Sequence, residues 1–422
     1  MLDRTVAPEV KELHDFPITK AVSGTLSNGI PIHYIRSGSQ EVIKIEIIYN
    51  AGNYFEPKPV VSLLTAKMLG EGTQQKSAKE ISNTIASYGA YIEYIPGNDK
   101  LIIALTTLNK YIPFLLPILK ELIQESVFPE KNFENLKNIY QQQLKINLEK
   151  TGFVSSGLFK KAIFGEHHPY GYFVSDNSFN QVELTDCLAF YNTTIKESNF
   201  EIVVSGMANE GVVKEINNIL GRDKIRFPSP LSLKKEVRGE GYSVREEKEN
   251  AVQCSIKIGR KLFTRNHPDY VKFLVLNELL GGFFGSRLMK NIREDKGLTY
   301  GIHSTVTNFI QEGYFLIGTD VKKELVDVAL TEIYKEISIL KSSLVGDEEL
   351  NTVKNYMMGT YLNSLTTPFS LAEKFKAIHF HNLDYSYYER YVKTIKQVKA
   401  KDLLQLAEKY LDKGNLTEVV VG

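Results

Sequence analysis

Apolar and polar residues alternate over 30–35 and 43–49, the two-residue period of strands. The period then lengthens to that of an amphipathic helix over about 60–70. A second helix over 78–88 reaches Gly89, a residue suited to a left-handed C-terminal cap. Segments 91–95 and 101–105 read as a hairpin joined through Pro-Gly-Asn-Asp, and long helical patterns follow over 109–126 and 130–150. The later half repeats this order, with strand 252–258, helices 267–280 and 286–296, strands 298–306 and 313–320, and helices 322–342 and 347–363. The pattern predicts an α+β fold of two halves, each an antiparallel-rich sheet covered by helices.

The halves also match in detail. Val182, Asp186, Leu188, Asn199, Val204 and Gly206 recur as Val398, Asp402, Leu404, Asn415, Val420 and Gly422, all at one offset of 216. A helix followed by a strand shares that offset without a gap, which implies an internal duplication. The proline- and glycine-punctuated, charged stretch near 227–241 is the best linker candidate. The expected domains are therefore 1–226 and 246–422, joined by a linker over 227–245.

Composition narrows the function more than the fold. A chain of 422 residues allows two or three domains at roughly 150 residues each, and the repeat selects two. Lys and Arg number 51 against 50 Asp and Glu, so no basic excess points to nucleic acid or to an anionic membrane surface. Two cysteines, Cys187 and Cys254, build no disulfide framework and favour a reducing compartment. The first residues lack the basic start and apolar run of a secretory signal. The apolar stretch 111–119 is about half a bilayer span and is broken by prolines. These features predict a cytoplasmic protein, although a mature chain stripped of its signal would read the same.

Ordered landmarks carry a family resemblance across nearly the whole chain. They are Asn28-Gly29, Asn50-Ala-Gly52, Gly70-Glu-Gly72-Thr73, Tyr88-Gly89-Ala90, His167-His-Pro-Tyr-Gly171, and the run from Leu279 through Gly281-Gly282-Phe-Phe-Gly285 and Arg293 to Tyr300. Together they resemble the M16 metallopeptidases, a family that includes pitrilysin, the mitochondrial processing peptidases and short bacterial members of about this length. Active members carry His-x-x-Glu-His on the helix before the Gly-Thr landmark. Two histidines four positions apart share a helical face and grip one zinc, while the adjacent glutamate activates the metal-bound water. Aligned on Gly72-Thr73, those positions hold Leu63, Ala66 and Lys67. The family's third ligand, a glutamate, falls at Gln142 or Gln143. The resemblance thus implies that this chain has lost the catalytic zinc and binds no cofactor.

The second half keeps what the family uses on the opposite wall of its chamber. Arg293 and Tyr300 stand seven residues apart, the spacing of the family's substrate-contacting pair. Ser286 is placed to cap a short helix with Leu288 and Ile292 inward, Arg293 in its last turn and Gly297 at its end. A following strand would put Leu298, Tyr300 and Ile302 on one face, bringing guanidinium and phenol together as donors to a peptide carbonyl or oxyanion. Taken alone, an arginine ending a helix merely suits the helix dipole, and a strand tyrosine is usually core. The family's spacing is what lifts the pair above that reading. Gly281, Gly282 and Gly285 lack the lysine of a phosphate loop and read as a flexible turn shaping a peptide channel. Glu166-His167-His168 and His379-Phe-His381 read as solvated or structural histidines, and the tyrosines of 385–391 as packing.

The resemblance implies a peptide-binding subunit of a two-chain metalloendopeptidase. A homologous partner with His-x-x-Glu-His would supply the zinc, and this chain Arg293 and Tyr300. The isolated chain would be inactive, with a homodimer open to it. The alternative is a non-enzymatic scaffold of the same fold, as in the peptidase-like core subunits of respiratory complexes.

Overall fold

The computed structural model describes residues 18–222, 224–226, 243–249 and 251–422. The first half opens with β1 (Val22–Thr25), β2 (Pro31–Arg36), β3 (Val42–Tyr49), α1 (Val61–Met68), α2 (Ala78–Ser87), β4 (Tyr91–Pro96) and β5 (Leu101–Leu108). It continues with α3 (Ile112–Gln124), α4 (Glu130–Leu148), α5 (Thr151–Phe164), α6 (Asp176–Asn180), α7 (Leu184–Thr194), β6 (Glu201–Gly206) and α8 (Glu210–Leu220). The second half holds β7 (Ser243–Glu246), β8 (Gln253–Leu262), α9 (Tyr270–Asn277), β9 (Ile302–Asn308), β10 (Gly313–Lys322) and α10 (Val326–Ser342). It ends with α11 (Asp347–Asn363), α12 (Pro368–His379), α13 (Ser386–Gln397), α14 (Ala400–Tyr410) and β11 (Thr417–Val421). The fold is α+β, with one mixed sheet in each half.

The first sheet runs β1-β2-β6-β3-β5-β4 and the second β7-β11-β8-β10-β9. Pairing is antiparallel except for β2 with β6 and β7 with β11. One face of the first sheet, with Ile32, Ile45, Ile47, Ile103 and Val204, packs under the helices of its own half. Strand alternation turns Ile35, Glu46, Ile48 and Val203 to the other face, which a polar surface would leave bare. The covering helix comes from the other half: Leu371, Ala372 and Phe375 of α12 lie against Ile35, Ile48 and Val203. The exchange is reciprocal, since Phe159, Ile163 and Phe164 of α5 lie against Val419 and Val421 of β11.

The offset of 216 read from the sequence organises this exchange. Added to α5, 151–164, it gives 367–380, and α12 occupies 368–379. Added to α7, 184–194, it gives 400–410, the bounds of α14. Most element bounds agree with the sequence pattern, and Gly89 closes α2 with φ of 63° as expected of a left-handed cap.

Several boundaries need correction. Of the linker expected at 227–245, residues 227–242 lie outside the described residues, and 243–245 open β7, hydrogen-bonded beside β11. The strand expected at 298–306 begins at Ile302, so 298–301 are not strand. The helix expected over 267–280 ends as α9 at Asn277 and passes into a wide π-helical turn over 278–282. A second π-helical stretch, Met289–Asp295, fills most of the helix expected over 286–296. Among the described residues no helix is long and apolar enough to cross a membrane.

One ion pair locks the crossed helix in place. Lys376 of α12 and Glu46 of β3 are 5% and 1% exposed, with Nζ 2.8 Å from Oε1. Lys44 adds a second ammonium 3.2 Å from the same oxygen. Removing one member of a buried pair leaves an uncompensated charge, whereas replacing both by apolar groups does not. Lys376→Ala should therefore lose about 3 kcal/mol in urea unfolding, the low end for such pairs because Lys44 remains. Lys376→Met combined with Glu46→Leu should recover most of that loss.

Candidate functional site

The wall expected to have lost its zinc is built on α1. Val60, just before it, has φ of 69° and makes no side-chain cap. Glu56 caps the helix from a distance: its Oε2 accepts the Ser62 N–H at 2.8 Å, and its Oε1 is bonded to the Tyr172 hydroxyl. Burial pushes the Glu56 carboxyl up to about 7. Leu63 is half-buried, Ala66 is buried, and Lys67 reaches across to the edge strand, donating from Nζ to the Tyr94 carbonyl at 2.9 Å. Burial lowers the Lys67 pKa.

Lys67 lines a cleft of about 470 Å³ with Gly70, Glu71, Ile85, Tyr91, Tyr94 and Leu136. Gln142 and Gln143 do not reach it; both are exposed on α4, and Gln143 bonds Asn147 one turn on. The inward face of α4 instead presents Leu136 to the cleft and packs Tyr140 on the core. The carboxylate in the cleft, Glu71, accepts from Asn132 at 2.8 Å. An ammonium, a methyl and an isobutyl group stand where two imidazoles and a carboxylate are needed, so these residues do not fit the family's zinc.

The second-half wall is open. Leu288 and Ile292 are fully buried as expected, and Gly297, with φ of 62°, ends the turn that carries Arg293. The Arg293 guanidinium lies 4.8 Å over the ring of Phe284, which is itself 61% exposed, and makes no ion pair among the described residues. Tyr300 is 93% exposed and lies outside β9, so it does not share a strand face with Ile302. No hydrogen bond or ring contact joins Arg293 to Tyr300, and the expected proximity of the two groups is not a contact within this chain.

Two further expectations are corrected here. Ser286 is buried but its Oγ has no partner, so it does not cap the helix. Gly281 and Gly282 belong to the π-helical turn packed on β9 rather than to a loose channel loop. A Cβ on Gly281 would stand 2.7 Å from the Ser304 nitrogen, whereas one on Gly285 would meet the movable ring of Phe283.

The histidines divide. His167 is exposed, His168 is buried beside Glu312, and His381 faces the carbonyls of Ala377 and Phe309. These agree with solvated and structural roles. His379 differs in its company: it meets His33 of β2 and Glu201 of β6, with all three ligand atoms within 4.8 Å of one another. Burial and the neighbouring His379 push His33 down to about 4. No local motif signals this group, because its members come from three elements and both halves.

Residues 181–357 match the family described as Peptidase M16 inactive domain. The chain is 25% identical over 349 residues to a Bacillus subtilis protein named uncharacterized zinc protease YmxG, covering 81% of this chain and 83% of that one. It is 23% identical over 348 residues to the Helicobacter pylori protein named non-peptidase homolog YmxG, covering 78% and 77%. The crystal structure of a peptidase M16 inactive domain from Pseudomonas fluorescens superposes with a TM-score of 0.83 at 23% identity, over 95% of this chain and 98% of that one.

Two outcomes check these readings. A raised carboxyl binds its proton more tightly in the folded than in the unfolded chain, so its contribution is full below the ordinary carboxylate range and is lost as pH rises through about 7. Thermal melts of Glu56→Gln should accordingly show a shallower fall between pH 5 and pH 8 than the parent. Gly281→Ala should cost about 1–3 kcal/mol by overpacking against Ser304, and Gly285→Ala clearly less, measured by the same melts.

Proposed function

We propose that the chain, similar to the M16 inactive domain over residues 181–357, is the zinc-lacking, peptide-binding subunit of a two-chain metalloendopeptidase of that family. One observation carries this reading. The family's zinc positions on α1 offer no imidazole or carboxylate, while in the other half Tyr300 is 93% exposed and Arg293, stacked on Phe284, makes no ion pair among the described residues. A large aromatic almost wholly in solvent, and a guanidinium resting on an exposed phenyl ring, are surface features that suit contact with a peptide.

In this reading a homologous partner with His-x-x-Glu-His supplies the metal, and the two chains close over the substrate. The Arg293 guanidinium and Tyr300 hydroxyl donate to a peptide carbonyl and to the oxyanion that forms from it. Donors aimed at the developing charge strengthen in a water-poor chamber, where each is worth far more than in bulk solvent. Edge strand β4 lies beside the Lys67 cleft and offers backbone pairing to an extended peptide, giving affinity without strict sequence demand. The match at two positions of α7 and α14 and along β6 and β11 supports an origin by internal duplication. Two buried free thiols, Cys187 and Cys254, suit a cytoplasmic setting.

Peptide cleavage should be absent for this chain alone and should appear on mixing with a zinc-motif homologue. In the mixture, Arg293→Ala should lower kcat/KM about 10²–10³-fold, the usual cost of one oxyanion donor, and Tyr300→Phe should lower it in the same direction. Tyr300 is exposed and Arg293 half-buried without an ion pair among the described residues, so both variants should fold, as circular dichroism should report. Activity unchanged by both substitutions would instead favour the scaffold.

A further inference from the structure

His33, Glu201 and His379 are brought together by the helix exchange. His33 on β2 and Glu201 on β6 share the sheet face that α12 covers, and His379 is the last residue of α12. The His379 Nε2 lies 2.5 Å from Glu201 Oε2, and the His33 Nε2 lies 3.9 Å from the same oxygen. His33 is only 6% exposed, yet its Nε2 has no hydrogen-bond partner. Its other nitrogen is engaged: Ser23, its register partner on β1, places Oγ 2.8 Å from Nδ1.

That division of labour is characteristic of an imidazole prepared for a metal. One ring nitrogen is held by a neighbour, which fixes ring orientation, and the other is left bare. The carboxylate is divided in the same way. Lys100, held by Asn50 at 2.7 Å and lying 4.4 Å over the ring of Phe380, approaches Oε1 at 3.9 Å and leaves Oε2 to the histidines. A tetrahedral zinc with bonds of about 2.0–2.1 Å sets its donors roughly 3.3 Å apart. The 2.5 Å pair must open and the 3.9 Å pair close, each by under about 1 Å, and the two imidazole nitrogens, within 4.8 Å of each other, close by at most about 1.5 Å, a range that side-chain rotation covers.

We propose that His33 Nε2, His379 Nε2 and Glu201 Oε2 form a zinc-class divalent-cation site that clamps α12 of the second half onto the sheet of the first. Two imidazoles and one carboxylate suit zinc rather than calcium or magnesium, which prefer oxygen ligands alone. The fourth position goes to water, since Glu201 and His379 remain partly open to solvent. The site is separate from the degenerate positions on α1. It does not rest on the proposed partnership, because it forms within one chain. The competing account is a closed cluster of rings and hydrogen bonds: Phe375 packs 4.7 Å from His33 and 5.0 Å from His379.

The test uses the full-length chain, freed of metal by chelator and titrated with Co²⁺ as a spectroscopic probe and then with Zn²⁺. One equivalent of Co²⁺ should give the intense visible bands of a four-coordinate ion, Zn²⁺ should displace it, and the melting temperature should rise with Zn²⁺. His379→Gln, at the end of its helix, and Glu201→Gln should each weaken binding more than 100-fold and abolish the rise. His167→Ala, exposed and elsewhere, should change nothing, and circular dichroism of each variant should report a folded chain. The absence of one-equivalent binding, or binding that survives both His379→Gln and His33→Ala, overturns the proposal.

Discussion

Both sheets bury two apolar faces, and the second face of each is closed by a helix from the other half. That constraint governs the molecule. A half alone would leave Ile35, Ile48 and Val203, or Val419 and Val421, open to water. At about 25 cal/mol for each Å² of apolar surface, even one exposed sheet face weighs against a stability of only 5–15 kcal/mol. The halves are therefore joined by more than the chain between them. The crossing helix also carries Lys376 to Glu46, a buried charge pair that neither member could leave without stranding the other.

The same exchange decides where chemistry can gather. The face under α12 collects Glu46, Lys376, His33, Glu201 and His379, all titratable and mostly removed from solvent. These are groups that a purely apolar contact would exclude. On the far side of the same sheet, the helices of the first half make an ordinary apolar core, and α1 stands on it with no ligand to offer. Polar groups in a buried contact specify one arrangement of helix on sheet at some expense in stability. A crossed helix that could slide along a smooth apolar face has particular need of such specification.

The elements that build each half from local pattern were legible in the sequence: the alternating β2 and β3, the glycine-capped α2, and the long amphipathic α10 and α11. The crossing helices were not. Most of α5 is apolar around its circumference, with Phe153, Val154, Phe159, Ile163 and Phe164 leaving no polar stripe to mark a period. In α12 the buried Lys376 breaks the expected pattern from the other direction. Of the site, Leu63, Ala66 and Lys67 could be placed together on α1 because the family's short motif lies on one helix. Placing the third ligand by counting failed at Gln142 and Gln143, because only the inward face of α4 meets α1 and counting does not say which residues lie on it. His33, Glu201 and His379 were invisible for a simpler reason: their proximity is a product of the helix exchange, and no window of sequence contains it.

How α1 keeps its place with Leu63, Ala66 and Lys67 at the family's ligand positions follows from how that helix is held. A structural metal is part of the folding free energy, and chains that depend on one unfold without it. Here α1 is fixed by the Glu56 carboxylate at its start, by Ser62 donating to the Ala51 carbonyl at 2.6 Å, and by Val61, Leu64 and Met68 in the core. Lys67 completes the hold by bonding the backbone of β4, joining the helix to the edge strand. None of these interactions passes through a metal. The helix is thus held by its cap, its core face and the edge strand, an arrangement that needs no ligand at Leu63, Ala66 or Lys67 to keep its place.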